Sequence, residues 1–280
     1  MTAILHIRHL LLQEMPFAIN AAELEGWNPG LHDADAFYHT DPNGFLMAEL
    51  EKEAVGCISA VAYNGHYGFI GFYIVAPEYR GKGYGIALGK AALANLGDRN
   101  IGLDGVLEKQ PMYKNGWGFS YAYKNIRFQG KAGIRRIVTA LPIASVDFNK
   151  LLRYDHDVFL FPRAEFLRRW VFQAESFGYY LENEESILGY GILRKCVIGY
   201  KVGPLFADNL AIAIEIVEAL ISNIPGEFYY LDIPEPNTDA LKIVEQFNLQ
   251  KVFETARMYT KEIPNVPLHK VFGITSFELG

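Results

Sequence analysis

The sequence predicts a mixed α/β protein built from two similar units. Three observations lead there. One order of elements occurs twice along the chain: a strand, helices, several strands, a helix, a strand, a helix and a strand. That repetition suggests two copies of one supersecondary plan. The length, 280 residues, accommodates two domains of ordinary size. Half of the residues are hydrophobic and 21% are charged, so each unit can bury a sizeable core.

In the first half, residues 3–12 alternate enough to read as a strand. Residues 13–25 carry helical spacing through Met15, Ala18, Ile19 and Ala22 and stop near Gly26. Gly26-Trp27-Asn28-Pro29-Gly30 is a loop by its glycines and proline. A short helix follows over 31–39, and Asp41-Pro42-Asn43-Gly44 is a turn. Residues 45–50, 54–63 and 69–75 are strand-like, the last two joined by the hairpin signal Asn64-Gly65-His66. Residues 69–75 are apolar throughout, as in a strand buried on both faces, and Pro77 ends them. Small apolar residues over 83–97 predict a buried helix, 101–107 a strand, and 117–128 a final strand or hairpin.

The pattern restarts after Gly130-Lys131-Ala132-Gly133, which divides the chain into 1–130 and 134–280. In the second half, strands are expected at 138–142, 179–182, 187–194, 196–206, 229–233 and 251–260. Helices are expected at 148–154, 164–177, 209–222 and 239–247. The helix over 209–222 is amphipathic, with Ile212, Ile216, Val217 and Leu220 on one side.

Several classes of function are disfavoured. The net charge is −6 with no basic run, which argues against a nucleic-acid surface. No apolar window approaches the length of a membrane span, and the N-terminal residues lack the pattern of a secretory signal. Two isolated cysteines, Cys57 and Cys196, fit neither a disulfide framework nor a zinc ribbon, so a reducing cytoplasm is expected. The histidines show no HxH or HExxH spacing, and no metal site is expected.

The segment that carries chemistry is Phe72-Tyr73-Ile74-Val75-Ala76-Pro77-Glu78-Tyr79-Arg80-Gly81-Lys82-Gly83-Tyr84-Gly85. A buried strand ends in a loop with three alternate glycines and enters a helix. Glycines let backbone N–H groups approach an anion, and the helix start adds unpaired donors. The loop is therefore a cradle for a phosphate or pyrophosphate. It is not a Walker A loop, because Gly89-Lys90 precedes Ala91 and the first glycine is replaced by Tyr84. It is not a dinucleotide fingerprint either, because Ile86 stands where the third glycine belongs.

This R-G-x-G-x-G run after V-x-P-E-Y resembles the acyl-CoA signature of the GNAT N-acetyltransferases. The second half carries Asn237-Thr238-Asp239-Ala240 through Leu249, which resembles the family's N-x-x-A-x-x-L-Y-E-x-x-G-F helix, with Val244 at the tyrosine position. It has no glycine loop: its equivalent is Tyr200-Lys201-Val202-Gly203-Pro204-Leu205-Phe206-Ala207-Asp208-Asn209, in which Pro204 supplies no N–H. With Glu25–Gly30, Tyr123–Phe128, Gly203–Asp208, Ala256–Tyr259 and the terminal Phe277-Glu278-Leu279-Gly280, nearly the whole chain resembles bacterial tandem-GNAT proteins with a YitH/HolE-type C-terminal domain.

The resemblance implies two GNAT folds, each a mixed, mostly antiparallel sheet flanked by helices. The first would bind acyl-CoA and the second would lack the acyl-CoA loop. It implies an acetyl-CoA-dependent transfer of an acyl group to the primary amine of a small molecule or peptide, the alternative being an acyl-CoA or small-ligand sensor without turnover. Acetyl-CoA or another acyl-CoA would lie along Ile74 and Val75, with Arg80, Gly81, Lys82, Gly83, Tyr84 and Gly85 at the pyrophosphate. Homodimers are common in the family. The family's thiolate-protonating tyrosine suggests Tyr113, although it stands five residues before Gly118-Phe119 and three before Gly116-Trp117, where four is usual. Asp104, Glu108 and Glu78 are candidate bases. The first two helices would wall the acceptor cleft and suggest Trp27, Asn28, His32, Asp33 and Tyr38. Asp208 and Arg194 are candidates from the second half, whereas His156 and Asp157 are expected to face solvent.

Overall fold

The computed structural model describes residues 4–133 and 138–280. In the first half the elements are β1 (Leu5–His9), α1 (Met15–Leu24), α2 (Asp33–Thr40), β2 (Phe45–Leu50), β3 (Glu53–Ala62), β4 (Tyr67–Val75), α3 (Tyr84–Leu96), β5 (Asn100–Val106), α4 (Gln110–Trp117) and β6 (Ser120–Lys131). The second half contains β7 (Leu141–Pro142), α5 (Phe148–Phe159), α6 (Ala164–Val171), β8 (Ser176–Glu182), β9 (Ile187–Lys195), β10 (Tyr200–Ala207), α7 (Leu210–Ile221), β11 (Phe228–Pro234), α8 (Thr238–Gln246), β12 (Gln250–Tyr259) and β13 (Val271–Gly273).

Local chemistry sets most of these boundaries. Asp147 caps α5 by accepting from the amides of Asn149 and Lys150, and Asn237 caps α8 by accepting from Asp239 and Ala240. Gly118, at φ +76°, ends α4 in the left-handed region. Three expectations are corrected. The helix from Ala164 stops at Val171 rather than Phe177, because Ser176 and Phe177 pair with Arg194 and Leu193 as the start of β8. The strand expected from Cys196 begins at Tyr200, after a turn closed by the Cys196 amide on the Gly199 carbonyl. Of the first predicted strand, Leu5–His9 is extended, and Ala3 lies outside the described residues.

The strands join one sheet in the order β1-β2-β3-β4-β5-β12-β6-β11-β10-β9-β8-β7, with β13 paired to β10. The two halves exchange their last long strands. β12, from the second half, lies beside β5 of the first, and β6, from the first, lies beside β11 of the second. One ion pair is repeated at each exchange. Arg257 on β12 is in register with Asp104 on β5, and Arg127 on β6 with Asp232 on β11. Both pairs are two-pronged, at 2.7–2.9 Å and 2.7 Å respectively, and both are buried.

Alternating strand residues feed opposite faces. Phe45 and Met47 join Phe37, Leu151 and Trp170 in a core shared by α1, α2, α5 and α6, where the rings of Phe37 and Trp170 stack at 5.5 Å. Leu46, Ala48 and Leu50 turn to the other face, under α3 and α4, and α7 and α8 cover that face in the second half.

Candidate active site

The site begins as a fork in the sheet. β4 and β5 run parallel and pair from Tyr67–Asn100 to Ile70–Leu103, and no further. At the parting, Phe72 has φ +46° and the β3–β4 register shifts between Cys57–Ile74 and Ser59–Gly71. This is a β-bulge, which bends a strand and re-aims the residues beyond it. Past the bulge, Gly56 and Cys57 of β3 pair with Val75 and Ile74, so that stretch of β4 keeps its outer edge, once shared with β5, free for another extended chain. Between the prongs lies a cavity of about 420 Å³ lined by both strands, a size typical of small-ligand sites.

The glycine loop closes one end of this cavity. Gly81 and Gly83 have φ +76° and +87°, and a Cβ on either would meet open space. Gly83 is the N-cap of α3 and has no side chain to cap it, so the first-turn amides of Tyr84, Gly85 and Ile86 remain available. Gly85 has a different reason: a Cβ there would approach the Tyr73 hydroxyl to 2.6 Å. These features fit a pyrophosphate and an extended pantetheine arm. Arg80 donates through Nε to the Val75 carbonyl at 2.8 Å and pairs with Glu25, which anchors the loop to the strand end and to α1. Ile74, Val75, Arg80, Gly81, Gly83 and Gly85 line the cavity. Lys82 is set over the Tyr79 ring, 5.2 Å from its centroid, and Tyr84 packs toward Tyr79.

Tyr113 reaches the cavity from α4. The left-handed cap at Gly118 and the buried Phe119 identify Gly118-Phe119 as the helix-ending pair, with Tyr113 five residues before it. Its ring lies over Gly105 and edge-on to Trp117, and no described residue hydrogen-bonds its hydroxyl. Burial, with Tyr73 nearby, pushes its ionisation well above the ordinary tyrosine range.

Asp104 lines the same cavity, with its lone pairs engaged by Arg257 and by Asn125 Nδ2 at 2.7 Å. Glu108 is exposed on the turn before α4 and does not line the cavity.

Among the expected acceptor residues, Trp27 lines the cavity and its neighbours build the seam between the halves. Asn28 exchanges two hydrogen bonds with the backbone of Ile198. Asp33 accepts from Arg194 Nε at 2.8 Å and from the Gly30 amide at 2.9 Å, all buried. His32 meets Glu175 at 2.9 Å. Tyr38 packs on the core beside Phe45. Asp208 lies in the second half, held by Lys270 and the Tyr154 hydroxyl. His156 and Asp157 are exposed on α5. Sequence reasoning missed three cavity residues from the far end of the chain, Phe253, Thr255 and Phe277, as well as Glu278. The terminal Phe277-Glu278 motif was visible, but nothing in it indicated that it crosses to the first half.

Among the described residues no cluster of His, Cys, Asp and Glu is placed to hold a metal ion, and no helix is long and apolar enough to cross a membrane.

Residues 6–119 match the acetyltransferase (GNAT) family, and residues 151–273 match an acetyltransferase (GNAT) domain. The holothin acyltransferase of Pseudoalteromonas sp. (strain SANK 73390) is 30% identical over 275 residues, covering 96% of this chain and 92% of that one. The chain belongs to the GNAT acetyltransferases. It is a tandem GNAT enzyme of the acyltransferase class. A putative acetyltransferase from Pyrococcus horikoshii shares its fold with TM-score 0.84 at 22% identity, covering 99% of this chain and 96% of that one. A tandem GNAT protein from the clavulanic acid biosynthesis pathway superposes with TM-score 0.66 at 12% identity, covering 94% and 100%. The β4–β5 fork and glycine loop of the first GNAT unit are thus read within an acyltransferase fold.

Proposed function

We propose that this GNAT protein transfers the acyl group of an acyl-CoA, acetyl-CoA first among them, to the primary amine of a small molecule. The first half, residues 1–130, holds the acyl-CoA. The second half, 134–280, completes the acceptor site through β12 and the chain end. The observation that carries this reading is the fork between β4 and β5, which ends on unpaired amides at one side and on the hydroxyl of the buried Tyr113 at the other.

The chemistry is set by the groups present. A neutral amine attacks the thioester carbon, forming the C–N bond, and backbone N–H groups of β4 near Val75 stabilise the oxyanion. When the C–S bond breaks, the sulfur takes the Tyr113 proton, and the surplus proton on nitrogen restores Tyr113. A hydroxyl held protonated by burial suits this role. Asp104 acts here as a positioning residue, since its twin Asp232 makes the same pair in the half without a glycine loop. Walls from Trp27, Phe253 and Phe277 favour an amine carried on a flat or apolar body, and the name of the holothin acyltransferase supports a small-molecule acceptor. Two buried free thiols, Cys57 and Cys196, accord with a reducing cytoplasm.

The test is release of CoA thiol from acetyl-CoA across a panel of aryl, alkyl, amino-acid and peptide amines. Turnover with small aromatic or apolar amines is expected. Binding of acetyl-CoA without turnover of any amine would replace the enzyme by a sensor.

A further inference from the structure

The last seven residues do not hang free. After β13, the Ile274 amide donates to the Asp232 carbonyl at 2.9 Å, and the Thr275 hydroxyl accepts from Arg163 at 2.8 Å. The chain then crosses to the first half. The Glu278 carbonyl lies so close to Gly71 that a Cβ there would approach it to 2.1 Å, and Tyr63 donates to the Leu279 carbonyl at 2.6 Å. The tail is therefore clamped against β4 one residue before the bulge at which β4 and β5 part.

Glu278 lies in that clamp, buried and lining the cavity. Three acidic side chains line the cavity. Glu25 is paired with Arg80, and Asp104 with Arg257 and Asn125. The Glu278 carboxylate has no hydrogen bond and no ion pair within 4.0 Å among the described residues. The residue is nine-tenths buried, yet its oxygens are not among the fully enclosed unpartnered ones, so they open on the cavity, where a cation of a ligand can reach them. The charges around it explain how it is tolerated. Arg127 on β6, Arg194 on β9 and Lys201 on β10 act on it through space. Their own donors are directed elsewhere: Arg127 to Asp232, Arg194 to Asp33, and Lys201 to the Trp27 carbonyl at 3.1 Å. Three cations thus face Asp33, Asp232 and Glu278, and the cluster balances while the lone pairs of Glu278 stay free. Phe277 sits beside it, 5.9 Å from the Phe253 ring and under the Arg127 guanidinium at 4.6 Å. Thr255, whose enclosed hydroxyl has no partner, lines the same cavity.

We propose that Glu278 is the acceptor-site carboxylate: it binds the incoming ammonium group and takes its proton. The inference rests on the acyltransfer reading above. The step balances simply. One N–H bond of the ammonium breaks, its proton passes to a Glu278 oxygen, and the nitrogen keeps the electron pair with which it attacks the thioester. The proton then leaves Glu278 for water once the product is released. The substrate class is a primary alkylamine on a flat or apolar body, protonated when it arrives.

The experiment compares Glu278→Gln and Glu278→Asp with the unaltered protein, using acetyl-CoA and two probes. 2-Phenylethylamine is an ammonium ion at neutral pH, and aniline is neutral. For 2-phenylethylamine, kcat/KM of the Gln variant is expected to fall about a hundredfold at pH 7 and to recover as rising pH deprotonates the free amine. Aniline is expected to lose less than about fivefold, and the Asp variant to retain part of the activity. Calorimetry on the CoA-bound protein is expected to show 2-phenylethylamine binding that the Gln variant loses, and this readout needs no turnover. Equal loss with both amines together with a lowered Tm would make Glu278 a structural counter-charge and overturn the proposal. So would undiminished 2-phenylethylamine binding and turnover in the Gln variant, an outcome that leaves the acyltransfer reading intact. Failure of acetyl-CoA to bind, by contrast, breaks that reading at its base.

Discussion

The two halves present the same fork and finish it differently. In the first, β4 and β5 separate after four paired residues and leave a cavity. In the second, β10 and β11 separate after Val202–Leu231, and β13 occupies the gap, pairing with Leu205 and Phe206. The fit there is close, since a Cβ on Gly203 would come within 2.5 Å of the Thr275 carbonyl. The helix starts differ in the same sense. α3 is capped by a glycine with no side chain, whereas Asn209 caps α7 and accepts from the Ile212 amide. The residue before that cap, Asp208, adds a negative charge of its own. Where the first half leaves an empty strand edge and free amides, the second supplies its own strand, its own cap and its own anion. The lesson is that one fold can leave such a fork open or close it with a strand and a cap from its own chain.

The largest expected effect tests this directly. Calorimetry with acetyl-CoA is predicted to give one site per chain. Gly83→Glu puts a carboxylate among the amides and a side chain at φ +87°, so losing two or three charge-assisted hydrogen bonds weakens binding at least about a thousandfold. Asn209→Ala, at the matching position of the second half, leaves acetyl-CoA binding unchanged and costs about 1 kcal/mol of stability. Two sites per chain, or a weakened site in Asn209→Ala, would break the contrast.

The strand exchange predicts a likeness rather than a contrast. Arg257→Met and Arg127→Met each strand a buried aspartate, Asp104 or Asp232, at a cost of about 3–5 kcal/mol in urea unfolding. If the two losses match, the ion pairs are equivalent stitches. If Arg127→Met unfolds the protein far less than Arg257→Met, the halves are not equivalent at the exchange.

Much of this was legible in the sequence. The apolar run over 69–75, the alternate glycines and the Asn237 cap pointed to two GNAT units and to a glycine loop that opens a helix in the first. The exchange was not legible, because Phe128 and Ile126 on β6 alternate with polar residues just as a strand kept at home would, and alternation records a buried face without naming the neighbour. Three of the expected acceptor residues lie away from the cavity for a related reason. Asn28, His32 and Asp33 have the chemistry of a polar cleft, but their partners, Ile198, Glu175 and Arg194, come from some 140–170 residues away and turn them into a seam. That the chain end crosses to β4 was not legible either, because a short terminal motif shows no periodicity.

A smaller effect separates the two forks chemically. Tyr113 has no counterpart at the matching helix of the second half, where Val244 stands at the family's tyrosine position. Tyr113→Phe is predicted to lower kcat about a hundredfold. No described residue loses a hydrogen bond, so stability shifts by less than about 0.5 kcal/mol. Because burial raises its ionisation above the ordinary value of 10.0, kcat is expected not to fall between pH 9 and pH 10 through loss of the Tyr113 proton. Unchanged kcat in the variant would remove Tyr113 from the reaction.

The smallest effect concerns the outer edges of the sheet. The second half ends in β7, two residues long and including Pro142, which blunts that edge by itself. The first half ends in a longer strand, β1, and holds it with charge: Arg8 grips Glu14 at 2.7 Å through both nitrogens and Glu49 at 2.5 Å. The Arg8 hydrogen bonds, helped by the Leu11 amide, pull the Glu14 carboxyl from its ordinary 4.5 down to about 2. A carboxyl depressed by folding stabilises fully above its unfolded value, and that stability drains as pH falls from about 4.5 toward 2. The site is partly solvated, so the contribution is less than about 1 kcal/mol. Glu14→Gln is therefore expected to lower the urea midpoint slightly at pH 7 and hardly at all near pH 2, narrowing the gap between the two pH values. An unchanged gap would mean that β1, like β7, is held by its backbone pairing and packing rather than by this pair.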